Sequence, residues 1–357
     1  MQVVRLGNVR RILVLSRNRI GDCLLTTPLL RALKRRFPGA ELSVSIPASN
    51  RDLLITNPHI DKIVIRPKET RWAAKIAFAL EMRRNNYDLI ISLQEKSMFY
   101  AWATWYTTLL NRRGPVTVSL DHRRTRRWYQ HNVPIRGDQH EVHKYLAIAT
   151  MLECPRDRNP VLELTPTAEA RENVDALVGG YGFDSDTRFV GINPGGSEAE
   201  KRWPEERFAE VADRVHEGTG LPIMIFGGPT DHSRAQHIQS LMRHPAIVVA
   251  GRTSLGDTAA LLERCQLLVT GDTGPMHMAV AMAVPVVTMF GPTSPLKFGP
   301  FTRLRTILRH EMPCPECQHP CLHTITAEEC ADAALKQYGA PPSRRVRTRQ
   351  QSDVSAP

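Results

Sequence analysis

Long apolar runs are missing from this chain of 357 residues. No stretch of about 18 apolar residues occurs, which excludes a transmembrane helix. No apolar segment with a small-residue cleavage site precedes the first strand near Ile12, so no secretory signal is expected and the protein is expected to be cytoplasmic. Cysteine is scarce and odd in number, seven residues unevenly spread, which does not fit a secreted disulfide scaffold. Zinc-finger spacing and RNP1-like motifs are also absent. The basic loop at 122–136, with Trp128 and Tyr129 inside it, therefore does not by itself announce nucleic acid as a partner.

What is present is ordinary core material, 42% hydrophobic, in a chain long enough for two domains. The charge is uneven. Residues 1–165 hold 28 Lys and Arg against 14 Asp and Glu, a net of +14, whereas residues 166–357 hold 19 against 22, a net of −3. The first half is thus suited to an acidic partner: a phosphorylated substrate, an anionic membrane or nucleic acid.

Short apolar runs alternate with helical periodicity along nearly the whole chain. Strands are expected at 11–16, 41–46, 61–65, 87–93 and 116–120. Helices are expected at 23–37, with leucines at four-residue spacing, and at 50–56, 70–84, 97–110 and 139–152. Residues 155–166 read as a linker that can include a strand at 161–164. The pattern then repeats, with strands at 189–193, 222–226, 247–250, 267–270 and 284–290 and helices at 206–217, 232–243, 255–264 and from about Pro275. Such alternation predicts two doubly wound parallel sheets. The expected division is 1–160, 161–340 and a disordered basic tail at 341–357.

The second half carries the densest signal. Three of its strands end in glycine-rich turns: Pro194-Gly-Gly-Ser197, Gly227-Gly-Pro-Thr-Asp231 and Gly271-Asp-Thr-Gly274. The last opens a helix, with Pro275 in its first turn and Asp272 and Thr273 as candidate caps. Free N–H groups and a helix dipole at the carboxyl ends of parallel strands suit a phosphate. Glycines at 195 and 196 let the backbone approach a ligand closely. Lys201, just beyond them, can neutralise a phosphate that gains charge during reaction. In the first half, Asp22 sits where the first strand gives way to its helix. It is either a helix cap or a general base facing a cleft.

At these residues the chain resembles glycosyltransferase family 9, the ADP-heptose heptosyltransferases of lipopolysaccharide core assembly. The resemblance rests on Ile20-Gly-Asp-Cys-Leu-Leu-Thr-Thr-Pro28, on Pro194-Gly-Gly-Ser with Lys201-Arg-Trp-Pro204, and on Gly271-Asp-Thr-Gly-Pro-Met-His277 with Phe290-Gly-Pro-Thr293, and it covers roughly residues 10–335. It implies a GT-B fold, two Rossmann-like domains facing a central cleft, with the acceptor on the first and the nucleotide sugar on the second. It implies inverting, metal-independent transfer of heptose from ADP-heptose to an acidic, lipid-linked Kdo or heptose acceptor. By the same resemblance Asp22 is the general base, and Gly196, Ser197 and Lys201 with Gly195 form the diphosphate loop. Asp231 is an acidic ribose contact, and Asp272, Thr273, Gly274 and His277 form the donor-binding turn. No Asp-x-Asp motif is placed to hold a metal on the diphosphate, and no cofactor is required.

The cysteines depart from the family's pattern. Cys314, Cys317, Cys321 and Cys330 can supply thiolates to zinc or iron, with His310, His319 and His323 as substitutes, although the segment looks shortened. Peripheral contact with an anionic membrane is a further expectation. The rival readings are a family 9 transferase acting on a protein or another glycan, a nucleotide-sugar-binding protein without catalysis, and a basic nucleic-acid-binding module.

Overall fold

The computed structural model describes residues 3–4, 6–67, 72–109, 114–135, 137–196, 198–311 and 321–339. Ser197, Cys314, Cys317, His319 and the 341–357 tail therefore lie outside the described residues.

Two six-stranded sheets form. The first contains β1 (Arg11–Leu15), β2 (Glu41–Ile46), β3 (Lys62–Ile65), β4 (Leu89–Ser92), β5 (Val116–Leu120) and β6 (His131–Val133), in the order β3-β2-β1-β4-β5-β6. The second contains β7 (Phe189–Asn193), β8 (Ile223–Ile225), β9 (Ala246–Val248), β10 (Cys265–Gly271), β11 (Val286–Met289) and β12 (Arg305–Leu308), in the order β12-β11-β10-β7-β8-β9. Every pairing is parallel. Counted from its own first strand, each sheet has the order 3-2-1-4-5-6. Each therefore has one topological switch point, between β1 and β4 and between β7 and β10, where a crevice opens at the carboxyl ends.

The strands read as apolar runs because both faces are covered. Ile12 and Val14 pack into one core cluster, while Leu13 and Leu15 pack into another behind the sheet, as a period of two requires. The helices that connect and flank the first sheet are α1 (Ile20–Leu25), α2 (Thr27–Arg36), α3 (Trp72–Arg84), α4 (Met98–Thr108) and α5 (Glu141–Met151). Those of the second are α6 (Ala168–Gly179), α7 (Glu205–Thr219), α8 (His232–Leu241), α9 (Leu255–Glu263), α10 (Gly274–Ala281), α11 (Pro295–Phe298) and α12 (Ala327–Gly339). Buried residues of α1 and α2 share one continuous cluster with those of α9 and α10. Among the described residues no helix is long and apolar enough to cross a membrane.

The structure departs from the sequence expectations in several places. The helix expected over 23–37 is two helices that start three residues earlier and break at Thr26. The Thr26 N–H bonds to the Cys23 carbonyl at 3.2 Å and its hydroxyl to the Asp22 carbonyl at 2.8 Å, while Pro28 enters the first turn of α2. Asp22 is consequently inside a helix. Residues 161–164 form no strand. There the Glu163 N–H bonds to the Thr27 hydroxyl at 3.0 Å, and Arg31 clamps Glu163 and Asp157 at 2.6 Å each, so side chains take the place of a ladder partner. Residues 131–133, inside the basic loop, join the sheet as edge strand β6. The sequence reading did not identify α6, β12 or α12.

Candidate functional site

The loop after β1 passes through Arg17, Asn18 and Arg19 into α1. It is held by its backbone: the Asn50 amide donates to the Asn18 carbonyl at 2.8 Å and the Gln94 amide to the Ser16 carbonyl at 2.7 Å. Asp22 lies in the first turn of α1, whose N-cap position is Arg19 with no side-chain cap. Its carboxylate is 13% exposed and 3.8 Å from the Arg17 guanidinium. Arg17 also pairs with Glu95, just beyond β4, and at 3.5 Å with Glu141 at the start of α5. Lys144 binds the other Glu141 oxygen at 2.5 Å. Three acidic groups from three elements thus surround one arginine at the first sheet's switch point. Only Asp22 of the three was marked in the sequence. Arg17 could have been noticed as a cation in the first strand-to-helix turn, but Glu95, Glu141 and Lys144 lie 73 to 122 positions from Asp22 and carry no local signature.

Burial raises the Asp22 pKa above its ordinary 3.8, Arg17 opposes that shift and Glu141 adds to it. A carboxylate raised in this way is a better proton acceptor near neutral pH than an exposed one. The buried Tyr145, one turn further along α5, is held well above 10 by burial, so it remains a neutral neighbour of this cluster.

The second sheet's switch point is built by hydrogen bonds between strand ends. Asn193 ends β7, buried, and its amide donates to the hydroxyls of Thr270 and Thr273 at 2.9 Å each. This ties the β10 turn to the β7 turn. It also corrects the expected cap: Thr273 occupies the N-cap of α10 but its hydroxyl is used by Asn193 and Thr270, leaving the helix without a side-chain cap. Asp272 is no cap either. It takes a hydrogen bond from Thr293, and burial raises its pKa against the pull of Lys201 and Arg19. The three glycine-rich turns converge. A side chain at Gly195 would meet the Asp231 carboxylate at 3.1 Å, and one at Gly271 the Lys201 carbonyl at 3.6 Å.

The Lys201 side chain is only 13% exposed, with its ammonium 3.5 Å from Glu198. The loop that carries it is braced by Arg202, which donates to the Gly196 carbonyl at 2.9 Å, and by the Trp203 indole, which donates to the Ile325 carbonyl at 3.1 Å. Asp231 accepts the Gly228 N–H at 3.0 Å and lies 3.7 Å from Arg234.

Gly274 and His277 meet the first half of the chain. A side chain at Gly274 would strike the Ile20 Cβ at 2.9 Å, and one at Gly21 would strike the His277 ring at 2.4 Å. His277 is 5% exposed, and burial pushes its pKa down to about 3, so the ring is neutral. The residues flanking Asp22 therefore touch the helix that follows Asp272, and the two switch points face one another across that seam. Arg19, exposed, acts electrostatically on both Asp22 and Asp272.

Cys330 is a core residue. Its thiol is fully buried 3.7 Å from the Met289 sulfur, and burial raises its pKa to about 12. Among the described residues no group of three His, Cys, Asp or Glu is placed to hold a metal ion. Cys321 is partly exposed, and His310 pairs with Glu329 at 3.1 Å.

Comparison with known proteins adds a family context. The sequence model described as "Glycosyltransferase family 9 (heptosyltransferase)" matches residues 76–325. Lipopolysaccharide heptosyltransferase 3 of Escherichia coli is 27% identical, the match covering 79% of this chain and 84% of that protein. A solved family 9 glycosyl transferase from Veillonella parvula DSM 2008 is 27% identical with a TM-score of 0.82, covering 93% of this chain and 99% of that one. The solved E. coli ADP-heptose LPS heptosyltransferase II superposes with a TM-score of 0.76 at 22% identity, covering 92% of this chain and 98% of the other. The fold shared with these structures is GT-B.

Proposed function

The chain belongs to glycosyltransferase family 9 and is a glycosyltransferase; from that premise we propose that it moves heptose from ADP-heptose to the inner core of a lipopolysaccharide, with Asp22 as general base. One observation carries this reading. The partly buried Asp22 carboxylate lies in the first turn of α1, next to Gly21, whose backbone packs against His277 in the helix that follows the Asp272 turn. The relatives' names give the donor and the acceptor class.

The chemistry follows from that layout. The donor diphosphate lies at the carboxyl edge of the second sheet. The uncapped N-terminus of α10 and the Lys201 ammonium face its negative charge. An acceptor hydroxyl at the first sheet attacks the anomeric carbon. As that C–O bond forms, the bond to the diphosphate breaks, ADP leaves and Asp22 takes the hydroxyl proton. Lys201 stabilises the charge that grows on the leaving phosphate. Base and leaving group sit on opposite sides of the sugar, so the anomeric centre inverts. No metal is needed on the diphosphate, because a cation and a helix dipole already oppose its charge. The acidic acceptor suits the +14 first half.

The test is Asp22→Asn, nearly isosteric. It should leave melting temperature and ADP binding close to wild type and cut turnover by about 10²–10⁴. Near wild-type transfer by a folded, donor-binding variant would remove Asp22 from catalysis.

A further inference from the structure

A surface helix normally turns polar side chains to water. Helix α3 does not. Trp72, Ile76 and Leu80, four residues apart, form an outward stripe that is 75%, 51% and 37% exposed. Its opposite side, with Phe78, Ala79 and Met82, already fills the core behind the first sheet. Helix α4 alongside continues the apolar surface with Met98 and Trp105, both exposed. Cations are seated on the rings. Lys75 lies 4.9 Å from the Trp72 centroid and 5.4 Å from that of Phe99, and Arg83 lies 4.9 Å from that of Tyr106. Beyond α4, Arg127 stacks on Trp128, whose ring meets Trp105 edge-on at 5.4 Å.

We propose that this α3–α4 face is the surface by which the enzyme docks on an anionic lipid bilayer. Aliphatic and aromatic side chains with cations held at ring level match the boundary between acyl chains and headgroups. Charge selects the occupant. Lys75, Arg83, Arg84 and Arg127 outnumber the exposed Glu81, so a two-fold dimer through this face would set a net positive surface against itself, whereas an anionic headgroup layer complements it. The placement is also useful. Helices α3 and α4 start at the carboxyl edge of the first sheet, the edge that bears Asp22. Docking there brings the cleft mouth toward the layer in which a lipid-linked acceptor is embedded. That last step rests on the function proposed above; the docking itself does not.

The test is cosedimentation of the full chain with vesicles of phosphatidylcholine plus phosphatidylglycerol, against phosphatidylcholine alone. Binding should require the anionic lipid and weaken with salt. Trp72→Ser with Ile76→Ser should weaken it by about tenfold or more. Arg83→Gln with Arg84→Gln should cost about fivefold per cation. Both pairs should turn over a soluble, delipidated acceptor at the wild-type rate and lose rate only on acceptor embedded in vesicles. Protein that stays in the supernatant, or a Trp72/Ile76 variant that binds like wild type, overturns the proposal. So does light scattering that shows a dimer broken by that pair. If vesicle binding behaves as expected but no heptose acceptor is used, the docking surface stands and the proposed function falls.

Discussion

Gly21→Ala tests the seam between the two halves of the molecule directly. Gly21 is helical, so alanine should favour α1 by roughly 1 kcal/mol in an open site. The site is not open. An ideal Cβ at 21 lies 2.4 Å from the His277 Cδ2 and 3.0 Å from its Nε2, and the ring is buried. Overpacking of this kind costs about 1–3 kcal/mol, so the steric conflict should win or at least cancel the helix gain. The melting temperature should fall by up to about 8 °C, at roughly 4 °C per kcal/mol. Turnover should fall further than stability alone explains, because Asp22 is the next residue. In a His277→Ala background the same Gly21→Ala change should become neutral or stabilising, since the cavity admits the methyl group and the helix preference remains. The double-mutant cycle, read by thermal or denaturant unfolding, should therefore show a coupling of at least about 1 kcal/mol. Coupling within about 0.5 kcal/mol of zero would mean that these residues do not meet, and the facing of the two switch points would lose its support.

The acid limb of turnover should lie above the pKa of an ordinary aspartate, because Asp22 must be unprotonated to act and burial raises its pKa; since Glu141 raises it further, Glu141→Gln should move that limb to lower pH in a kcat/KM profile, and an unmoved limb would separate Glu141 from the base. Lys201→Ala should weaken ADP binding by about 10–100-fold in calorimetry, the worth of a charge-assisted contact to phosphate; unchanged affinity would remove Lys201 from the donor site. Transfer should survive exhaustive EDTA treatment, and a strict need for added magnesium or manganese would contradict the proposed handling of the diphosphate.

The sequence by itself determined the fold class and where the glycine-rich turns lie. Apolar runs buried on both faces, as at 11–15 and 265–271, are a local pattern, and so are the glycine-rich turns that end β7, β8 and β10. Residues whose meaning is local, such as Gly195 in its turn or Asp22 after the first strand, are therefore legible without the fold. Tertiary structure alone decided what surrounds Asp22. Arg17 after β1, Glu95 after β4 and Glu141 at the start of α5 are brought to one crevice by the 3-2-1-4-5-6 order, and no spacing along the chain encodes the meeting of Glu95 and Glu141 with Arg17. It also decided that Gly21 and Gly274 give the backbone room for a facing helix, that Thr273 spends its hydroxyl on Asn193 rather than on a cap, and that Cys330 is core. Apart from Arg17, five residues before Asp22, the deciding partners are remote in sequence. Burial and hydrogen-bond satisfaction, which fix a polar side chain's role, are properties of the packed whole.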